Sequence, residues 1–133
     1  MAAPPRYTIE EANALLPQVR AVLLQLAVEK RRLDSAVTGL TAHGDGAASN
    51  GDVAHADAVA RSEAEMAEIG GGLRALVDHL ESLGIELRDL DHGLVDFPGL
   101  RNGQAVWLCW LLEEPAIAFW HPLDEGFASR RPW

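Results

Sequence analysis

The chain has 133 residues, with 20 acidic and 11 basic side chains and a formal net charge of -9. That length supports one domain with a modest core. The acidic balance argues against nucleic acid, whose phosphates are held mainly by clustered Lys and Arg. Lys30-Arg31-Arg32 and Arg130-Arg131 are the basic clusters, and they read as solvated charges. No apolar run approaches the roughly 18 residues of a membrane span. The start, Met1-Ala-Ala-Pro-Pro-Arg6, has no apolar stretch of signal-peptide type. The single cysteine, Cys109, excludes an internal disulfide and a multi-thiolate zinc ribbon. The expectation is a cytoplasmic protein that binds neither nucleic acid nor membrane. All aromatic residues except Tyr7 lie at or beyond Phe97. The chain therefore joins an Ala/Leu-rich front to an aromatic-rich back.

Thr8-Ile9-Glu10-Glu11 has the form of a capping box, in which Thr8 and Glu11 satisfy each other's free backbone N–H groups. From there a helix is expected over 8–40. Its seam runs Ile9, Ala12, Leu16, Val19, Leu23, Leu26, Lys30, Leu33, Val37 and Leu40, a seven-residue repeat of coiled-coil type. Leu15 and Val22 widen the stripe. Lys30 interrupts it and is expected to snorkel. Pro17 removes a donor inside the helix, which predicts a kink. Residues 41–52 hold three glycines and no large apolar side chain, and read as a flexible connector. His43 and His55 flank it and read as solvated.

A second helix is expected over 53–83, with Asp52 as N-cap and a seam through Val59, Ser62, Met66, Ile69, Leu73, Leu76, Leu80 and Leu83. Gly84 supplies its left-handed stop. Gly70-Gly71-Gly72 weakens the middle by ~1 kcal/mol per glycine, which invites a kink or local break, and the favoured reading is a weak spot tolerated in a helix held by tertiary packing. The two helices form an antiparallel hairpin. Their surplus apolar positions call for a homodimer or higher homo-oligomer built on a four-helix arrangement.

After Gly84 the period changes to two. An antiparallel sheet of three or four strands is expected over 85–121. Leu94 to Phe97 reads as a short strand ended by Pro98-Gly99. Asn102-Gly103 is a hairpin signal. Gln104 to Leu111 is apolar on both faces, so it reads as the central strand. Glu113-Glu114-Pro115 turns the chain, and Ala116 to His121 returns. Residues 122–133 read as a C-terminal tail. The fold class is α+β, a single domain over 1–133 with the helices covering one face of the sheet.

The run Gly93-Leu-Val-Asp-Phe-Pro98, the triplet Leu108-Cys-Trp110, the pair Trp120-His121 and the Gly126-Phe127 ending followed by Arg130 occur in one order. With Tyr7-Thr-Ile-Glu-Glu-Ala-Asn-Ala-Leu-Leu-Pro17 at the front, they resemble the prokaryotic domain-of-unknown-function family 2203. The similarity spans nearly the whole chain, the connector being its variable part. It implies a small bacterial-type cytoplasmic protein and supports the order of helices then sheet. It implies no activity, substrate or catalytic residue.

The reactive side chains cluster in the sheet. Asp96, Cys109 and His121 come from three successive segments and offer oxygen, sulfur and nitrogen, the donors of a zinc or iron site. The bland alternative makes Cys109 a small buried hydrophobe and His121 a hydrogen-bond partner of Asp96. As a nucleophile, Cys109 is disfavoured by its place between two tryptophans, which predicts burial and an inert thiol. No phosphate-binding glycine loop is present. The leading reading is a self-associating, non-enzymatic scaffold or binding module, with a protein partner or small ligand at the sheet edge. His92, Asp124 and Arg130 are its candidate surface or site residues. The alternative is a metal-binding protein or small metalloenzyme using Asp96, Cys109 and His121. The catalytic set is left open, and no residue is assigned to an organic cofactor.

Overall fold

The computed structural model describes residues 5–46 and 53–133. Two helices, α1 (Ile9–Gly46) and α2 (Val53–Ser82), form a helical hairpin. Five strands follow: β1 (Glu86–Asp89), β2 (Leu94–Arg101), β3 (Gln104–Leu111), β4 (Phe119–His121) and β5 (Arg131–Pro132). They pair antiparallel in the order β1-β2-β3-β4-β5. The fold is α+β, with one strand more than the upper expectation. The extra strand comes from the segment read as a tail, which also holds a short 3-10 turn at Phe127–Ser129. The chain divides into two compact units: one unites the part up to Gln25 with everything from Val77, and the other is Leu26–Leu76.

In the first unit the capping box forms as expected. Thr8 N–H donates to Glu11 Oε1 at 2.9 Å and Glu11 N–H to Thr8 Oγ1 at 3.1 Å. Ala12, Leu16, Val19 and Leu23 are buried along one face of α1. Gln18 of α1 meets His79 of α2 at 2.9 Å, and the Tyr7 hydroxyl donates to the Leu83 carbonyl at 2.7 Å. Gly84 takes φ 77°, the left-handed turn that ends α2.

The β2–β3 hairpin turns through Asn102 (φ 52°) and Gly103 (φ 77°), both in the left-handed region, as a two-residue turn between twisted strands demands. β2 does not end at Pro98-Gly99; it runs on to Arg101. The reason lies in the direction in which Pro98 faces. Its carbonyl accepts from Tyr7 N–H at 2.8 Å, and Leu100 N–H donates to the Tyr7 carbonyl at 3.0 Å. Pro98 thus turns its missing donor to the edge beyond β1, where proline is tolerated. Gly99 is required by close packing, since a Cβ there would lie 2.4 Å from Leu108 Cγ.

The sheet has two distinct faces. Val95, Phe97, Val106, Leu108 and Trp110 are buried on one, against α1. The Arg20 guanidinium lies 5.1 Å from the Trp110 ring centroid, and Asn13 Oδ1 accepts from Ile117 N–H at 2.8 Å. Leu94, Asp96, Trp107, Cys109, Phe119 and His121 occupy the opposite face by register. β3 is the central strand, as its two apolar faces predict.

In the second unit, α1 continues to Gly46. The expected connector therefore gives up residues 41–46 to the helix, because each added residue gains a backbone hydrogen bond once a helix is nucleated. The remainder of that connector, with Asp52, lies outside the described residues. The seam also departs from expectation. Past Leu26 the buried positions are Glu29 and Ala36, while Lys30 is only half-buried and Val37 is 45% exposed. The buried stripe turns around the helix instead of following a fixed heptad, so the interruption falls on Glu29. Arg32 answers it with two contacts, at 3.1 and 2.9 Å. α2 passes through Gly70-Gly71-Gly72 without a break, and Ile69 beside them is buried.

Candidate functional site

Strand alternation places Asp96 and Cys109 side by side. They are direct partners across β2 and β3, so their side chains project from the same face. His121 stands opposite Trp107, two residues before Cys109, and therefore shares that face from β4. The three side chains are all buried, and one donor atom from each lies within 4.8 Å of the others. The sequence-predicted metal set is thus brought together.

Hydrogen bonding orients the cluster. His121 Nδ1 lies 2.9 Å from the Pro122 carbonyl. A carbonyl has no proton to give, so Nδ1 carries the hydrogen. That leaves Nε2 facing Asp96 Oδ2 at 3.0 Å. In a neutral imidazole Nε2 bears a lone pair, and two lone pairs then meet unless a cation, proton or metal, lies at that point. Asp96 Oδ2 also accepts from Arg88 Nε at 2.9 Å. Asp96 Oδ1 is buried and has no hydrogen-bond partner among the described residues. Burial, together with the neighbouring Asp96 carboxylate, pushes the Cys109 thiol up to about 12.

Arg130 comes from the far end of the chain and bridges to the site. Its Nη2 donates to Glu114 Oε1 at 2.7 Å and to the Cys109 carbonyl at 3.3 Å, and its guanidinium lies 4.1 Å from the Phe119 ring centroid. Glu114 Oε1 also accepts from Leu111 N–H at 2.8 Å. Arg130 is thus a brace behind β3. Asp124 is exposed and lines a pocket whose floor includes Asp96 and Cys109. His92 is not part of this cluster. It pairs with Asp89 on the exposed β1–β2 turn, Nδ1 to Oδ2 at 2.7 Å. That hydrogen bond, with the Asp89 charge behind it, raises His92 above the usual histidine range, and the same bond lowers Asp89.

Arg88 and Glu114 are the participants that sequence reasoning missed. Arg88 was legible as a strand residue, but its partner depends on the β1–β2 register, which shifts at a bulge between Leu87 and Asp89. Glu114 acts from a turn, where no periodicity signals a role.

An α+β fold whose sheet is packed on one face, with a buried Asp–Cys–His cluster on the other, is the class of protein that these features define. The chain belongs to the family described as Uncharacterized conserved protein (DUF2203), whose model matches residues 6–133. No curated protein and no solved structure matches the chain. Among the described residues, no helix is long and apolar enough to cross a membrane.

Proposed function

We propose that this protein binds one transition-metal ion through Asp96, Cys109 and His121. The observation that carries the reading is the convergence of oxygen, sulfur and nitrogen donors within 4.8 Å in a buried setting. Metal–ligand bonds of about 2.0–2.3 Å in a tetrahedral shell put donors roughly 3.3–3.8 Å apart. A separation of at most 4.8 Å exceeds that spacing by about 1 Å, and His121 Nε2 already stands 3.0 Å from Asp96 Oδ2. The His121 tautomer supports the same reading. A metal-binding imidazole characteristically gives its other N–H to a carbonyl, as Nδ1 does to Pro122. The mixed set of one thiolate, one imidazole and one carboxylate suits zinc or ferrous iron better than magnesium or calcium. The competing account is a metal-free chain in which a proton sits between His121 and Asp96 and Arg88 closes the charge balance.

Metal analysis of protein purified without a histidine tag distinguishes the two. The expected result is about one zinc, iron or cobalt per chain, with thiolate-to-cobalt charge-transfer absorption on Co(II) loading. Cys109→Ser removes that absorption, and Asp96→Asn weakens metal retention. Both replacements nearly conserve volume, so circular dichroism confirms that the fold is kept. Folded wild-type protein with no stoichiometric metal and no charge-transfer band overturns the reading.

A second reading, compatible with the first, is self-association through α1. It is favoured by the exposure of two large apolar side chains of that helix, Leu24 (52%) in the first unit and Val28 (40%) in the second.

A further inference from the structure

Asp96 and Cys109 line a pocket of about 370 Å³, a size that admits a small molecule. Its other walls are Arg88, Leu94 and the turn that carries Leu123 and Phe127. His121 is not among the lining residues and is 1% exposed. A cation held by the three donors therefore has protein on its His121 side and open space on its Asp96/Cys109 side. Three protein donors fill three corners of a tetrahedron, and the fourth corner is then free for an exchangeable ligand.

The pocket also carries a directional charge. Arg88 gives Nε to Asp96 Oδ2, and its guanidinium lies 5.1 Å from the Trp107 ring centroid. That leaves the planar Nη groups for a second carboxylate, the geometry a guanidinium fork matches best. The Arg88 side chain is 42% exposed, so it is reachable from solvent. Asp96, 3% exposed and lining the pocket, has in Oδ1 a buried acceptor without a partner. Besides Asp96, the wall holds two acidic residues, Asp124 and Glu125, and Glu125 is drawn to Arg131 at 3.6 Å. Both stand at the exposed mouth, where water screens them.

We propose that the metal centre keeps an open coordination position that takes a small monocarboxylate, with one oxygen on the metal and the other on Arg88. This rests on the metal reading, and its test separates the two. The probe is Co(II)-loaded protein titrated with acetate, with acetamide as the uncharged control. The expected result is a saturable change in the visible d–d bands with acetate and none with acetamide. Compared at saturating Co(II), so that both proteins are fully loaded, Arg88→Met is expected to weaken acetate by about tenfold or more. Intact charge-transfer absorption with d–d bands indifferent to acetate means a closed shell. That outcome overturns the open position and leaves the metal centre standing. A response that appears only in Asp124→Ala does the same and identifies Asp124 as the fourth ligand. Equal acetate affinity in Arg88→Met overturns the role of Arg88. Failure to take up Co(II) removes both proposals together.

Discussion

Cys109 shows how far an environment can move a side chain from its ordinary chemistry. Its thiol is buried beside the Asp96 carboxylate, and its ionisation rises from 9.0 to about 12. In metal-free protein at neutral pH, alkylation of Cys109 is expected to be roughly a thousandfold slower than in the urea-unfolded chain, because the thiolate fraction falls by the same factor. Mass-spectrometric timing of iodoacetamide addition checks this, and equal rates in both states would contradict the burial. The linked stability has a definite sign. The folded thiol keeps its proton to higher pH than the unfolded one. Its contribution is therefore whole below about pH 9 and is lost as pH rises toward 12. The Asp89–His92 pair runs differently. His92 is raised and Asp89 lowered, so their mutual support is greatest between the two ordinary values, 3.8 and 6.5. It fades as pH climbs through the folded His92 value or falls through the folded Asp89 value. Asp89→Asn is expected to return His92 toward its ordinary titration in an NMR pH series. An unmoved His92 curve would show that the bond does not persist in solution.

At the scale of elements, two glycines with opposite surroundings give a paired prediction. Gly99 in β2 faces the buried Leu108, and an added Cβ would approach Leu108 Cγ to 2.4 Å and Cδ1 to 2.8 Å. Leu108 has no room to retreat, so Gly99→Ala is expected to cost about 1–3 kcal/mol by overpacking. Gly71 in α2 has nothing within 4 Å of its Cβ position and ordinary helical surroundings. Gly71→Ala is expected to stabilise by up to ~1 kcal/mol through helix propensity. Urea midpoints at constant m-value read both changes, and a stabilised Gly99→Ala would refute the packing argument. The same elements show why half of the site was readable and half was not. The Asn102-Gly103 turn has two residues, so it places Arg101 opposite Gln104. Counting back along both strands puts Asp96 opposite Cys109. That part of the cluster follows from the turn once β2 is known to run unbroken through Pro98 to Arg101. The place of His121 depends on the irregular stretch between Leu111 and Phe119, where no turn chemistry sets the register. The continuation of β2 past Pro98 was likewise hidden, because it rests on Tyr7, far away in sequence. Proline reads as a strand stop until the edge that its missing N–H faces is known.

At the scale of the whole molecule, charge and apolar exposure make opposing demands on self-association. Each chain carries -9, so two copies repel. Leu24 and Val28 each leave large apolar surface exposed on α1, which favours burial against a second copy. The helical seam read from sequence also called for a partner, although Glu29 and Ala36 replace Lys30 and Val37 at its inner positions. An interface that is apolar in drive and like-charged overall has a distinctive salt response. Added salt screens the repulsion and leaves apolar contact intact, so association should strengthen from low to moderate ionic strength. An interface held by opposite charges weakens over the same range. Light scattering is expected to give twice the 14.4 kDa chain mass at moderate salt and a lower average at low salt. Leu24→Glu with Val28→Glu is expected to return the mass to that of one chain, with the helical circular dichroism unchanged. A single-chain mass for the wild type at micromolar concentration and moderate salt would sink the self-association reading. It would leave the buried cluster of Asp96, Cys109 and His121 untouched, because all three belong to the sheet of one chain.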